Sequence, residues 1–156
     1  MTITFTVTGK TKSAIISAKN MGEMTKGGLK KSMFKIGNYL KDYAVKDLLF
    51  KPKGGRKYRV TINGARVTHI ASRPGEPPAN MTGRLKDSID FEAVGVSEIN
   101  FGAGNEDFKA PYPKFLEEGT KKMAKRLYLL RSINNNARNV YVTIESELKK
   151  SIKNES

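Results

Sequence analysis

The 156-residue chain contains no cysteine and only one histidine. Without thiols it has no disulfide framework, no thiolate zinc site and no cysteine nucleophile, and a reducing cytosol is the compartment such a composition fits most readily. His69 lies in a strand-like run with no partner motif nearby, so it reads as an ordinary strand residue rather than a general base. Long apolar runs are missing too. None reaches the length of a signal-peptide core or a bilayer span, which leads us to expect no membrane association. Acidic residues are scarce: 15 Asp and Glu face 29 Lys and Arg, for a net charge of +14 and a pI near 10.0. Such an excess sets up a field that favours polyanions or acidic protein surfaces and says nothing about fold.

The same scarcity thins out the candidates for chemistry. Aspartates and glutamates are scattered without metal-ligand spacing. Gly102-Ala103-Gly104 has the look of a phosphate loop, but Asn105, Glu106 and Asp107 follow it, and the charge of the two acids repels phosphate. Glu117 and Glu118 are adjacent, and neighbours on a helix point about 100° apart, so they do not converge on one substrate atom. We expect one of them to be exposed and the other to contact a base such as Lys121 or Arg126. The expectation is therefore of a protein that is not an enzyme, with no cofactor and no metal.

What is present is enough for one core. Hydrophobic residues make up 38% of the chain, including seven Phe and six Tyr, and 156 residues suit a single domain spanning 1–156. Ile3, Phe5 and Val7 alternate with threonines in an opening strand. From about Met24 to Phe50, Leu29, Met33, Ile36, Leu40 and Tyr43 recur at spacings of four and three, and Ala44 and Leu48 continue the stripe. Lys31, Lys35, Asn38, Asp42 and Lys46 fall on the opposite, solvated face. The glycines at 22, 27 and 28 place the true start of this helix near Gly28, and Pro52 with Gly54-Gly55 ends it.

Two β-rich runs then flank Asn63-Gly64, the pair that tolerates positive φ at both centres of a tight hairpin turn. Tyr58, Val60 and Ile62 would share one face. Three prolines and a glycine make Ser72 to Met81 a loop, so that a hairpin and a basic loop form an insertion at about 51–81. Strands follow at about Asp87–Val96 and Glu98–Ala103, then a second loop from Asn105 to Pro113. A short helix starting near Tyr112 or Pro113 is expected to carry Phe115 and Leu116 inward. Gly119 suits a left-handed cap behind it, with the Thr120 hydroxyl bonding backbone at the turn. From Ser132 to about Lys153, Ile133, Ala137, Val140, Ile144, Leu148 and Ile152 share a helical face. The β-branched run VYVTI competes locally as a strand. The sum is an α+β fold, an antiparallel sheet packed against a long N-terminal helix, with a C-terminal helix.

Two segments carry a resemblance. The first is SRPGEPPANMTGRLKDSI, with Pro74, Gly75, Pro77, Thr82, Gly83, Leu85, Ser88 and Ile89. The second is YPKFLEEGTKKMAKRLYLLR, with Tyr112, Glu117, Gly119, Thr120, Met123, Arg126, Tyr128 and Leu129. In order and spacing they resemble the minor tail component family of the tailed-phage head-to-tail module, the neck or tail-completion proteins of lambdoid type. The likeness runs from about Leu29 to Arg131. The chain departs from the family in having Arg126-Leu127-Tyr128 where Arg-Pro-aromatic is usual and Glu118 where an aromatic is common, and its Asn-Gly hairpin is longer.

The resemblance implies a structural virion protein at the head–tail junction, present in host cytoplasm during assembly. It implies a homo-oligomeric ring, hexamer or dodecamer, between a head-closure or connector protein and a tail terminator or tail tube protein, with double-stranded DNA in the lumen and no sequence specificity. Subunit contacts or structural motifs would then fall on Thr82, Gly83, Leu85, Tyr112, Glu117, Gly119, Thr120, Arg126 and Tyr128. Possible partner or phosphate contacts are Lys51, Lys53, Arg56, Lys57, Arg59, Arg73, Lys121, Lys122 and Lys125. A strongly positive lumen would grip DNA, so much of the basic charge is expected to face outwards or towards acidic partner rings. The alternative, motivated by the charge alone, is a free basic double-stranded nucleic-acid-binding protein, although no helix-turn-helix, zinc-finger or aromatic stacking signature accompanies that charge.

Overall fold

A computed structural model describes residues 2–8, 13–19, 26–104 and 112–154. It shows an α+β fold with two antiparallel sheets. The opening strand β1 (Thr2–Thr8) turns back into β2 (Ser13–Lys19), a strand that the sequence reading did not foresee. Next come α1 (Lys26–Asp42), β3 (Lys57–Ile62), β4 (Ala65–Ile70), the single turn α2 (Arg84–Asp87), β5 (Ile89–Val94), β6 (Glu98–Ala103), α3 (Tyr112–Glu118) and α4 (Leu129–Asn154). The larger sheet has the order β1-β2-β6-β5; β2 pairs with β6 through Ala14 opposite Phe101, and β6 with β5 through Phe101 opposite Phe91.

The heptad-like stripe does what its spacing predicts. Leu29, Met33, Ile36, Leu40, Ala44 and Leu48 are all buried, and α1 lies across β5 and β6. On β6 burial alternates strictly, with Ile99, Phe101 and Ala103 turned towards the helix. Helix α4 runs antiparallel along α1 and supplies Leu129, Ile133, Val140, Ile144 and Leu148 to the same core. Its stretch VYVTI is helical, since the 3.6-residue apolar period outweighs local β preference. Ala137 is only half-buried, and the side chain of Ile152 lies outside the described residues.

A polar seam fixes the register of the two helices. The Ser132 hydroxyl donates to the Leu40 carbonyl at 2.9 Å, Asn135 to the Tyr43 hydroxyl at 3.0 Å and Asn139 to the Tyr39 hydroxyl at 2.8 Å. Further along, the buried Glu147 carboxylate accepts from Lys35 at 2.8 Å and Lys150 at 3.1 Å, and these two partners hold its carboxyl below the usual range. Two glycines set the spacing of the layers: a side chain at Gly28 would meet Ser151 of α4, and one at Gly37 would meet the ring of Phe91 on β5.

The first long helix is not regular to its end. Residues Tyr43–Leu49 adopt a wider winding, with the Phe50 N–H donating to the Val45 carbonyl five residues back at 3.2 Å. This phase shift lets both Leu48 and Leu49 turn inwards, which adjacent residues on an α-helix, about 100° apart, do less readily. Lys53, just past Pro52, folds back to donate to the Leu48 carbonyl, and burial lowers the pKa of its ammonium.

Asn63 and Gly64 have φ of 50° and 80°, and Ile62 faces Ala65 across a two-residue turn, as the Asn-Gly pair predicts. Phe115 is a correction. It is 41% exposed, because α3 turns Pro113, Leu116 and Glu117 inwards, the i, i+3, i+4 set, and Phe115 lies off that face. The C-terminal helix begins at Leu129, one turn before the expected Ser132. The expected loop at 105–113 lies outside the described residues up to 111, and Tyr112 and Pro113 already belong to α3.

Candidate interaction site: a capped corner and a basic arm

The Glu-Gly-Thr corner has a physical account for each of its residues. Glu117, at the end of α3, is 5% exposed and points at the start of α4. There its carboxylate accepts the backbone N–H groups of Tyr128 at 3.0 Å, Leu129 at 3.3 Å and Leu130 at 2.9 Å. The first N–H groups of a helix have no partner within it, and a carboxylate answers both their hydrogen-bonding need and the positive end of the helix dipole. Of the two adjacent glutamates, one is expected to be exposed; instead Glu117 is buried on backbone amides and Glu118 is half-buried. Gly119 has a φ of 78°, and its N–H donates to the Phe115 carbonyl at 2.8 Å in a left-handed cap. Thr120 and Met123 exchange backbone bonds of 2.8 and 3.2 Å around a tight turn, and the Thr120 hydroxyl accepts the Lys122 N–H at 3.3 Å.

Arg126 links this corner to the Pro-rich loop. Its N–H donates to the Leu116 carbonyl at 2.8 Å, and its guanidinium reaches the buried Ser72 hydroxyl. Arg131 adds a bond to the Gly75 carbonyl at 3.0 Å. Tyr128 is fully buried, and burial together with the neighbouring Glu117 pushes its hydroxyl pKa far up. Among the described residues that hydroxyl has no hydrogen-bond partner. Removing it ends an uncompensated desolvation cost, so Tyr128→Phe is expected to be neutral or to stabilise by about 1 kcal/mol, whereas Tyr128→Ala loses about 3–5 kcal/mol. Chemical denaturation of the two variants checks both signs.

The earlier motif forms a second wall of the same region. Gly83, with φ of 82°, starts α2, whose Leu85 is buried and which feeds directly into β5 at Ile89. The Ser88 hydroxyl donates to the Leu85 carbonyl at 2.9 Å and closes the turn. Thr82, Gly83, Leu85 and Tyr112 come together along one open cleft of about 390 Å³, flanked by Met81 and Arg84. Thr82 and Tyr112 are exposed there. The structure therefore gathers four motif residues at the cleft and five, Glu117, Gly119, Thr120, Arg126 and Tyr128, at the corner.

The β3–β4 hairpin projects from this frame as an arm whose strands contact chiefly each other. Its root is clamped. Glu76 accepts the N–H groups of Arg73 at 2.7 Å and Gly54 at 3.1 Å, which hold its carboxyl below the usual range, and the Arg73 guanidinium donates to the Gly54 carbonyl. Gly55 and Ala71 continue the ladder, with the Gly55 N–H on the Ala71 carbonyl at 2.9 Å, so tightly that a side chain at Gly55 would strike that oxygen.

Of the cations expected to meet a partner, Lys53 and Arg73 are engaged with backbone carbonyls at this root. Lys51 lies at 3.9 Å from Asp47. Arg56, Lys57 and Arg59 are exposed on the arm, and Lys121, Lys122 and Lys125 are exposed around the 120–123 turn. Sequence reasoning missed Glu76, whose role depends on a fold-back over 22 residues. It also missed Arg66, which the Asn-Gly register places opposite Thr61. His69 is an arm residue whose ring meets that of Tyr58 edge-on, 5.3 Å between centroids.

No group of histidine, cysteine or carboxylate side chains among the described residues is placed to hold a metal ion, and no helix among them is long and apolar enough to cross a membrane. Compared with family models, curated proteins and solved structures, the chain finds no match in any of the three.

Proposed function

We propose that the chain is a structural subunit of a phage neck, one member of a homo-oligomeric ring that joins head to tail around the DNA exit channel. The observation that carries this reading is the exposed arm with a fixed root. A two-stranded hairpin is marginally stable on its own in water, yet here Glu76 ties the two legs of its root together and Arg126 and Arg131 bind the following loop to the body. Such construction suits a segment that reaches a neighbouring subunit. Arg73 and Glu76 of this root, and Glu117 of the corner behind it, belong to the two segments that resemble the neck family.

In a ring of this kind each subunit buries one face against a different face of the next, and closure follows from the rotation between them. The cleft of Thr82, Leu85 and Tyr112 offers the receiving face, with Met81 and Tyr112 both more than 40% exposed beside it. The head-closure or connector protein and the tail terminator or tail tube protein would sit above and below.

Sedimentation velocity of the purified protein, with negative-stain imaging of the same samples and immunogold labelling of particles, tests the reading. Closed rings of six or twelve subunits and label confined to the head–tail junction are the expected results. Label anywhere else on the particle overturns it.

A further inference from the structure

We infer that one face of the β3–β4 arm is a binding surface for the phosphate backbone of double-stranded nucleic acid. This inference does not rest on the ring, and it locates the contact on the described residues.

Residues 51 to 75 contain seven Lys and Arg and no Asp or Glu, which is half of the chain's net charge of +14. Pairing within the hairpin sorts the residues by face. Tyr58 opposite His69, Val60 opposite Val67 and Ile62 opposite Ala65 make one face apolar. Lys57 opposite Ile70, Arg59 opposite Thr68 and Thr61 opposite Arg66 make the other cationic and hydroxylic. Lys57, Arg59, Thr61, Arg66 and Thr68 are all exposed, and no ion pair among the described residues neutralises the three cations.

Three features favour nucleic acid over an acidic protein. First, Lys, Arg and Thr are side chains that donate to phosphate oxygens, and the face offers nothing else polar. Second, no carboxylate is interspersed. A surface that recognises one protein partner commonly mixes signs to fix register, whereas a uniform cationic face suits a uniform polyanion. Third, a two-stranded β-ribbon is one of the two protein elements that the major groove of a duplex admits. The clamped root lets the arm enter without first being ordered. Of the two directions expected for the basic charge, outwards or towards acidic partner rings, a phosphate-binding arm opposes the second.

The test is fluorescence anisotropy of the full chain with a mixed-sequence duplex of about 30 base pairs, read over a salt series, with sodium polyglutamate as a competing probe. Arg59→Ser/Arg66→Ser is compared with Lys30→Ser/Lys31→Ser, a variant that removes the same charge from the exposed face of α1. Circular dichroism of each variant establishes that it is folded; the four positions are exposed, so both should be.

For the arm variant the slope of log affinity against log salt should flatten by about 2, close to 0.9 per lost phosphate contact, with about a tenfold loss of affinity at low salt. The α1 variant should leave the slope unchanged. Equal effects of the two variants would reduce the contact to net charge and overturn the inference. So would stronger competition by polyglutamate than by unlabelled duplex, which would assign the face to an acidic protein, or absence of duplex binding at low salt.

Discussion

Replacing Glu117 with alanine is expected to cost about 3–5 kcal/mol of folding stability. Three backbone N–H groups converge on this one buried carboxylate. The alanine variant leaves them facing a small cavity, and each unsatisfied buried donor costs about 1–3 kcal/mol, partly relieved by any water that enters. Favourable interaction with the positive end of α4 is lost as well, and it contributes up to about 2 kcal/mol in partly buried geometry. Glu117→Gln keeps the shape and one acceptor oxygen but turns an amide N–H towards backbone N–H, so it should fall between wild type and alanine. Urea unfolding followed by circular dichroism measures both. A loss under about 1 kcal/mol in the alanine variant would show that the amides find other partners and that the corner does not depend on Glu117.

A second large effect is expected where α1 crosses the sheet. Glycine inside a helix is less favourable than alanine by about 1 kcal/mol, so on propensity alone Gly37→Ala should stabilise the protein. Packing reverses the sign. Gly37 is buried, and a methyl group there would overlap the ring of Phe91, which is itself held edge-on to Phe34 with centroids 5.4 Å apart. Either the ring leaves its place or α1 lifts off β5, and forced overpacking of this kind costs about 1–3 kcal/mol beyond the propensity gain. In a Phe91→Ala background the obstacle is gone, and the same substitution should then stabilise by about 0.5–1 kcal/mol. The double-mutant cycle therefore predicts a change of sign. The same sign in both backgrounds would mean that Phe91 does not set the distance between helix and sheet.

The sequence made legible what depends on local period. The stripe from Leu29 to Leu48 and the alternation on β6 followed from spacing, and the Asn63-Gly64 turn followed from the backbone angles those two residues tolerate. Strand β2 was not legible, because SAIISAK has no clean alternation and its strand state is settled by pairing with β6, far along the chain. The role of Glu117 was not legible for a related reason. Its partners are backbone amides 11 to 13 residues on, and backbone donors leave no letter in a sequence, whereas nearby lysines do. The wide winding at Tyr43–Leu49 was hidden because Leu40, Ala44 and Leu48 keep a four-residue spacing that an ordinary helix also allows. At the arm, the sorting of residues into two faces was available from the register alone, but Arg66 emerges only when each residue of β3 is matched with its partner on β4.

The strand order also dictates a timetable for the growing chain. Ala14 of β2 must meet Phe101 of β6, and α1 must meet α4, whose first residue is Leu129. At synthesis rates of about 5–20 residues per second, β2 waits roughly 4–17 seconds for its second neighbour to be made. Closing so long a span also carries an entropic cost that contacts nearby in sequence avoid. Strands β3 and β4, separated by two residues, can pair as soon as both have emerged. Alone that hairpin is only marginally stable, so the arm is held in place only once Arg126 and Arg131, more than fifty residues further on, have been made.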